Sequence, residues 1–155
     1  MNGSLESKLE CEDFVNGLTG HDIIVLSESW TNELSDLSLK GYVCVSKHRR
    51  RRKRAKRDSG GLICYFKNEI WKGISKCEWD FEDGLLFKLC KTFFNLEHDL
   101  YLVAIYVKPA SSSRDDLNGF DFLTDKLSEV YDYGEIVVMG DLNARTGTGK
   151  YGFFL

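Results

Sequence analysis

The sequence predicts an α+β domain in which a helix precedes a run of strands and a second helix precedes the last strand. Short apolar runs rich in β-branched residues recur between positions 22 and 107, which is typical of strands. Residues 5–18 and 117–130 instead show apolar side chains at helical spacing. The chain has 155 residues, 43% of them hydrophobic, so it is long enough for one domain with a core. The sequence contains no repeat or interdomain linker.

The first helix is predicted at 5–18 and ends near Gly17 or Gly20. Its apolar residues are Leu5, Leu9, Phe14 and Leu18. The run DIIVL at 22–26 follows. It contains three β-branched residues and is apolar after its first position, which favours a strand that is covered on both faces.

Further strands are predicted before the second helix, and the segments between them have the composition of turns. The strands are 41–46, 60–66, about 72–79, about 84–92 and 100–107. Gly60 and Gly61 let the backbone turn or bulge where the strand at 60–66 begins. The tripeptides EDG at 82–84 and EHD at 97–99 are predicted hairpin turns.

An amphipathic helix and one more strand complete the predicted order. The helix spans 117–130, and Asp115 or Asp116 is a candidate for its N-cap. Its apolar stripe is Leu117, Phe120, Leu123, Leu127 and Val130. The strand EIVVM at 135–139 follows the helix directly.

Composition excludes several classes of protein. No apolar run approaches the ~20 residues of a membrane span, and the polar, acidic N-terminus does not resemble a signal peptide. Five scattered cysteines lie outside any zinc-binding spacing. We therefore expect free thiols, an intracellular location and no membrane partner.

The basic residues are concentrated in the block KHRRRRKRAKR at 47–57. It holds nine of the 21 basic residues, so that 12 remain against 24 acidic ones in the rest of the chain. Such a block needs water and predicts a loop. Three interpretations stay open: binding of nucleic-acid phosphates, a nuclear import signal, or an exposed loop without a role. The candidate phosphate-binding residues are Arg49, Arg50, Arg51, Arg52, Lys53 and Arg54.

Polar residues stand at the ends of three apolar strands. They are Glu28, Tyr106, and the pair Asp141 and Asn143. Residues two apart on an extended chain face the same way, about 7 Å apart, so the pair could reach one small site. A carboxylate in this position suits a hard cation such as Mg²⁺. The plain structural alternatives are a solvated loop glutamate, a core tyrosine, and a turn or helix cap for the Asp-x-Asn.

The order of several sequence segments along the chain resembles the endonuclease/exonuclease/phosphatase superfamily. The segments are DIIVLSESW, GGLICYF, YLVAIYVKPAS, the amphipathic helix and IVVMGDLNARTG. The nearest resemblance is to the endonuclease domains of non-LTR retrotransposon polyproteins, which are relatives of apurinic endonucleases. It covers about residues 2–147 and implies a partial β-sandwich flanked by helices.

The resemblance also implies roles for individual residues. Glu28 matches the metal-binding glutamate. Asn2 matches the second polar position of an early strand of the family and is the other implied metal-binding residue. Asp141 matches the aspartate that orients the attacking water. Asn143 matches an amide that contacts the phosphate, and Tyr106 a tyrosine near the scissile phosphate. The implied cofactor is Mg²⁺ (or Mn²⁺), the implied partner is DNA, and no small-molecule cofactor is implied.

Two departures from the family pattern concern the site. The first asparagine of the early strand is missing, and no histidine follows GDLN, where the family has a late Asp-His pair. His21, His48 and His98 are interpreted as plain surface residues. We therefore expect a catalytically incomplete copy of the family's domain over 1–147, truncated at both ends, and an atypical tail at 148–155. The predicted function is metal-dependent phosphodiester hydrolysis of nucleic acid. The alternatives are a non-catalytic nucleic-acid-binding remnant and a phosphatase of small phosphoesters.

Overall fold

The structure is a computed structural model and describes residues 5–48, 60–107 and 118–143, with the backbone alone at 118–122. Within these residues, seven strands form two sheets. The strands are β1 Ile23–Ser27, β2 Tyr42–Lys47, β3 Leu62–Lys67, β4 Ile74–Cys77, β5 Gly84–Leu89, β6 Leu100–Tyr106 and β7 Glu135–Asp141. The helices are α1 Leu5–Leu9, α2 Glu12–Leu18, α3 Asn68–Trp71, α4 Lys91–Phe94 and α5 Asn118–Tyr131.

The two sheets pack face to face, and helices cover their outer faces. The order of the first sheet is β1-β3-β2 and that of the second is β4-β5-β6-β7. Alternate residues of β3 face opposite ways. Cys64 and Phe66 pack against the second sheet, where the ring centroids of Phe66 and Phe87 are 4.7 Å apart. Ile63 and Tyr65 pack against α1 and α2. The predicted α+β class is thus confirmed.

The predicted helix at 5–18 is wrong in one respect, because it is two helices. Cys11 lies between α1 and α2 with extended backbone angles. Leu9 and Phe14 are five positions apart, which exceeds the 3.6-residue repeat of a helix. The break lets the apolar residues of both helices reach the same buried cluster.

β1 forms where the sequence predicts a strand, but it is not fully covered on both faces. Ile24 is its one fully buried residue, because β1 lies at the edge of its sheet. The strand that is buried on both faces is β3, whose first five residues are all buried. Continuous apolar sequence therefore did not distinguish the edge strand from the central one.

The segments around β4 and β5 differ from the predicted strands at 72–79 and 84–92. β4 is shorter, and the strand at 84–92 ends at Leu89, after which α4 begins. The turn at 82–84 is confirmed, since β4 and β5 pair antiparallel across it. The prediction of a hairpin turn at 97–99 is wrong. A longer connection containing α4, with Asn95 in a left-handed conformation, joins β5 to β6.

A crossover through α5 brings β7 alongside β6 in parallel. Leu123, Leu127 and Val130 of the predicted stripe pack on the outer face of the second sheet. β7 continues two residues beyond the predicted end, so Asp141 pairs with Tyr106 in register.

Several predictions fall outside the described residues, and others can be compared with them. Outside lie the side chains of Leu117 and Phe120, the caps Asp115 and Asp116, and the tail 148–155. All five cysteines are described and are free thiols, as predicted. No helix in the described part of the chain is long and apolar enough to cross a membrane.

Candidate functional site

A hydrogen bond joins Glu28 to Tyr106 across the two sheets. The Tyr106 hydroxyl donates to Oε1 of Glu28 at 2.5 Å. Glu28 directly follows β1 and is exposed, whereas Tyr106 is the last residue of β6 and only 5% exposed. The carboxylate therefore stands at the solvent-facing end of the contact between the sheets.

The backbone around Glu28 adopts a conformation that non-glycine residues rarely take. Its φ is 51°, and that of Trp30 is 53°. Such angles cost free energy and persist only where neighbouring groups enforce them. Here the N–H of Trp30 donates to the carbonyl of Gly60 at 3.0 Å. Gly60 and Gly61 both have positive φ, which confirms the turn predicted at the start of that strand.

Gly61 also needs its lack of a side chain. A Cβ there would lie 2.7 Å from Oγ of Ser29, the residue that follows Glu28. The Ser29 N–H meets the Gly61 carbonyl at 3.4 Å. The glycine pair thus allows the end of β1 to be held against the start of β3.

A polar network that the sequence did not predict lies beside the backbone that follows β1. The buried hydroxyls of Ser29 and Thr31 lie 3.0 Å apart, and Thr31 Oγ1 lies 3.3 Å from Nδ1 of His48. Nε2 of His48 lies 3.2 Å from Oγ of Ser46. Both ring nitrogens are therefore engaged, and His48 is half-buried rather than a plain surface residue.

The interpretation of the other two histidines as surface residues agrees with the structure, since His21 and His98 are exposed. The partners of His48 are hydroxyls at separated positions in the sequence. Serine and threonine are common everywhere on a protein surface, so no sequence signal distinguished them.

Asp141 and Asn143 lie beside Tyr106, in a turn rather than on an extended chain. The N–H of Asn143 donates to Oδ1 of Asp141 at 2.9 Å, and Asn143 has a φ of 45°. The Asn143 amide then donates from Nδ2 to the carbonyl of Val107 at 2.8 Å. The prediction that the two side chains face the same way because they are two positions apart on an extended chain was therefore wrong. The turn itself brings both side chains to the end of β6.

Gly140 permits the close approach of β6 and β7 just before Asp141. Its φ is 140°, and a Cβ at this position would collide with the carbonyl oxygen of Ile105. The group that approaches this glycine closely is therefore the backbone of β6.

The four residues at the strand ends are thus placed together, while the other predicted site residues are not described. Glu28 and Tyr106 are hydrogen-bonded, Tyr106 and Asp141 are register partners, and Asp141 and Asn143 share a turn. Asn2 and the block Arg49, Arg50, Arg51, Arg52, Lys53 and Arg54 lie outside the described residues.

The donors present fit a sparsely liganded hard cation. In the described part of the chain, no three His, Cys, Asp or Glu side chains cluster closely enough to enclose a metal ion. A Mg²⁺ site needs only one or two carboxylates, because water and substrate oxygens fill the remaining positions. Glu28 meets that requirement, since Tyr106 binds one of its oxygens and no other described residue donates to the carboxylate.

Comparison with known proteins finds similarity at the level of structure. No family model and no curated protein matches the chain. Truncated TDP2 of Caenorhabditis elegans superposes with a TM-score of 0.60 at 13% identity, over 94% of this chain and 58% of that one. The human Nocturnin catalytic domain, solved with a bound sulfate anion, gives a TM-score of 0.56 at 14% identity, over 90% of this chain and 57% of that one.

These neighbours support one conclusion about architecture. TDP2 and Nocturnin belong to the endonuclease/exonuclease/phosphatase superfamily, so the predicted fold is confirmed. At 13% and 14% identity the likeness extends to the fold alone. The chain spans a little under three fifths of the length of either neighbour.

Proposed function

We propose that this chain binds nucleic acid and that its site is of the type that hydrolyses phosphodiester bonds, with Mg²⁺ (or Mn²⁺) held at Glu28. Since no histidine follows GDLN, we expect a low rate of hydrolysis. The observation that supports this most directly is the Glu28–Tyr106 hydrogen bond beside the Asp141–Asn143 turn. The fold agrees with this function. The sulfate in the Nocturnin structure has the tetrahedral shape of a phosphate group.

Each side chain has a role that follows from its contacts. A cation bound at Glu28 would polarise a phosphate oxygen and offset the charge that develops during attack. Tyr106 acts through Glu28, because its hydroxyl donates to that carboxylate and fixes its rotamer. It is therefore a positioning residue, which differs from the direct phosphate contact that the family resemblance implies.

Asp141 and Asn143 each keep one functional group available. Asn143 binds Oδ1 of Asp141, and no described residue donates to Oδ2, which can orient a water molecule for attack. The Asn143 amide uses one N–H for Val107 and has a second for a phosphoryl oxygen. Because the turn fixes both groups before substrate arrives, little reorganisation remains for the reaction.

The experiment compares plasmid nicking by the wild-type chain, Glu28→Gln and the matched control Glu69→Gln, with Mg²⁺ and with EDTA. Glu69 is exposed in α3, which follows the end of β3 opposite to the one that pairs with Ser27. We expect Glu28→Gln to lower the nicking rate by ~10²-fold or more, because the cation supplies several kcal/mol of transition-state stabilisation. Glu69→Gln should nick like wild type.

Two results would overturn the proposal in different ways. Equal nicking by Glu28→Gln and wild type would remove Glu28 from the site. DNA binding without nicking by any variant would favour the non-catalytic alternative. The intracellular location and the nuclear import signal in 47–57 remain predictions from the sequence.

A further inference from the structure

A cleft of about 570 Å³ opens between the end of β2 and the β4–β5 hairpin. Its volume lies in the range of small-ligand sites, ~300–1,000 Å³. Lys47 and Lys76 line it, together with the exposed acids Glu78 and Asp80 and the side chain of Trp79. The cleft therefore combines cationic donors, anionic acceptors and an aromatic ring.

The cleft adjoins the candidate site through the backbone of the hairpin. Lys47 Nζ donates to the carbonyls of Phe81 at 2.5 Å and Gly84 at 3.2 Å. Between these residues, the carbonyl of Asp83 accepts the N–H of Tyr106 at 2.9 Å. One short turn thus contacts both the lysine of the cleft and the tyrosine that binds Glu28.

Trp79 and Lys47 line the cleft but are only partly exposed. The indole N–H of Trp79 is buried and has no hydrogen-bond partner in the described part of the chain. An unsatisfied buried donor is costly, and native structures contain few of them. Lys47 is partly buried, and its pKa is lowered first by that burial and then by the charge of Lys76. Lys47 already donates to two carbonyls, and the charges of Asp80, Asp83 and Glu82 act in the opposite direction on its pKa. The exposed Lys76 is therefore the cation that an anionic ligand in the cleft would meet.

We propose that this cleft holds one unpaired nucleotide of a nucleic-acid strand whose neighbouring phosphodiester lies at the Glu28 site. The inference rests on the proposed function and names the form of its substrate. Lys76 binds a phosphate, the Trp79 ring contacts the base, and the acids and lysines meet polar groups on the base edge. A paired base in a duplex would not enter, because its partner and its stacked neighbours occupy those faces.

The first experiment measures the binding of a short fluorescein-labelled oligothymidylate by anisotropy, in EDTA so that no hydrolysis occurs. We compare wild type with Trp79→Leu, Lys76→Gln and the control Lys72→Gln, which is exposed near the other end of β4. Trp79→Leu should weaken binding by about 5-fold or more. Lys76→Gln should weaken it and lower the salt slope by about 0.7, the value for one phosphate contact on a single strand. Equal affinities and salt slopes for Lys76→Gln and Lys72→Gln would overturn the inference.

A second measurement does not depend on tolerance of Trp79→Leu. The chain has three tryptophans, so its ¹⁵N-labelled indoles give three signals, and Trp79→Phe identifies one of them by its loss. Saturating oligothymidylate should shift that signal, because a base stacked on the Trp79 ring changes the magnetic environment of the indole. An unmoved signal at saturation would overturn the inference.

Hydrolysis of bis(p-nitrophenyl) phosphate separates this inference from the proposed function. This diester is too small to span both sites, so its hydrolysis reports on the Glu28 site alone, and Glu28→Gln should lower its rate. No hydrolysis by any variant, with the binding losses intact, would reject the catalytic proposal and support the cleft as a binding site. Unchanged binding with normal hydrolysis would reject the cleft alone.

Discussion

The Tyr106 hydroxyl gives the Glu28 carboxylate a fixed position that the turn at the end of β1 alone would not provide. Tyr106→Phe removes this hydroxyl and keeps the buried ring. We expect the Mg²⁺ concentration for half-maximal nicking to rise about 10- to 100-fold, as is typical when a partner of a metal ligand is lost. Excess Mg²⁺ should restore most of the rate.

The matched control is Tyr101→Phe, an aromatic residue on the same strand that contacts neither Glu28 nor the turn at Asp141. Its Mg²⁺ dependence should equal that of wild type. An unchanged Mg²⁺ dependence in Tyr106→Phe would show that the hydrogen bond does not position the cation site.

Two cysteines differ in ways that a thiol reagent can measure. Backbone N–H groups of Phe93 and Thr92 lower the pKa of exposed Cys90 below its ordinary value of 9.0. Burial raises the pKa of Cys64 to about 12. Since the thiolate is the reactive form, iodoacetamide should modify Cys90 first, with a half-maximal rate at a lower pH than an ordinary thiol shows.

Cys64 should react only after urea unfolds the chain, because it is buried in β3. Mass spectrometry of peptides from a labelling time course distinguishes the two sites. Comparable labelling of Cys64 in the folded chain would contradict the burial of β3 between the second sheet and the helices α1 and α2.

At the level of elements, the pairing of β6 with β7 depends on Gly140. A methyl group there meets the Ile105 backbone, which cannot move without breaking the ladder. We expect Gly140→Ala to lower the free energy of unfolding by about 2 kcal/mol or more and to displace the Asp141 turn. Urea unfolding followed by circular dichroism measures the change.

Gly17→Ala is the control for that substitution. Gly17 lies in α2 with nothing near the position of a new Cβ, so alanine should stabilise the chain by about 0.5–1 kcal/mol. Opposite signs for the two glycines are the expected result. A neutral Gly140→Ala would mean that β7 does not pack against β6 as closely as the structure places it.

The elements also show what the sequence could predict. Apolar runs located the strands, because burial dictates their composition whatever their neighbours. The break at Cys11 was readable in principle from the five-residue step between Leu9 and Phe14. The His48 network was not readable, because its hydroxyl partners become neighbours only when β1, β2 and β3 assemble. The Asp141 turn was one of the structural alternatives, and it brings Asn143 to the site all the same.

For the whole molecule, the order of the strands determines where chemistry can occur. The crossover through α5 makes β7 parallel to β6, so both strands end at Tyr106 and Asp141. β1 lies close to β7, and Glu28, which directly follows β1, reaches Tyr106. Residues that are far apart in the sequence thus meet at one end of the sandwich. β2 ends and β3 begins at this same end, on either side of the basic block in the sequence, since Lys47 pairs with Leu62 and Leu62 with Ser27.

The same strand order leaves β7 at the edge of its sheet. Val137 is 40% exposed and Val138 is 38% exposed, and β6 is the one described strand that pairs with β7. An exposed apolar edge is a template for pairing with another chain. We expect the chain to self-associate as its concentration rises, and Val138→Lys to reduce that association, because a charged edge residue opposes strand addition.

Leu34→Lys is the matched control, since Leu34 is 95% exposed but lies in a loop rather than on a strand. Sedimentation velocity over a concentration series should show more monomer for Val138→Lys and the wild-type profile for Leu34→Lys. Equal effects of the two lysines would attribute the association to general hydrophobicity, and a wild-type chain that stays monomeric throughout would contradict the role assigned to the edge.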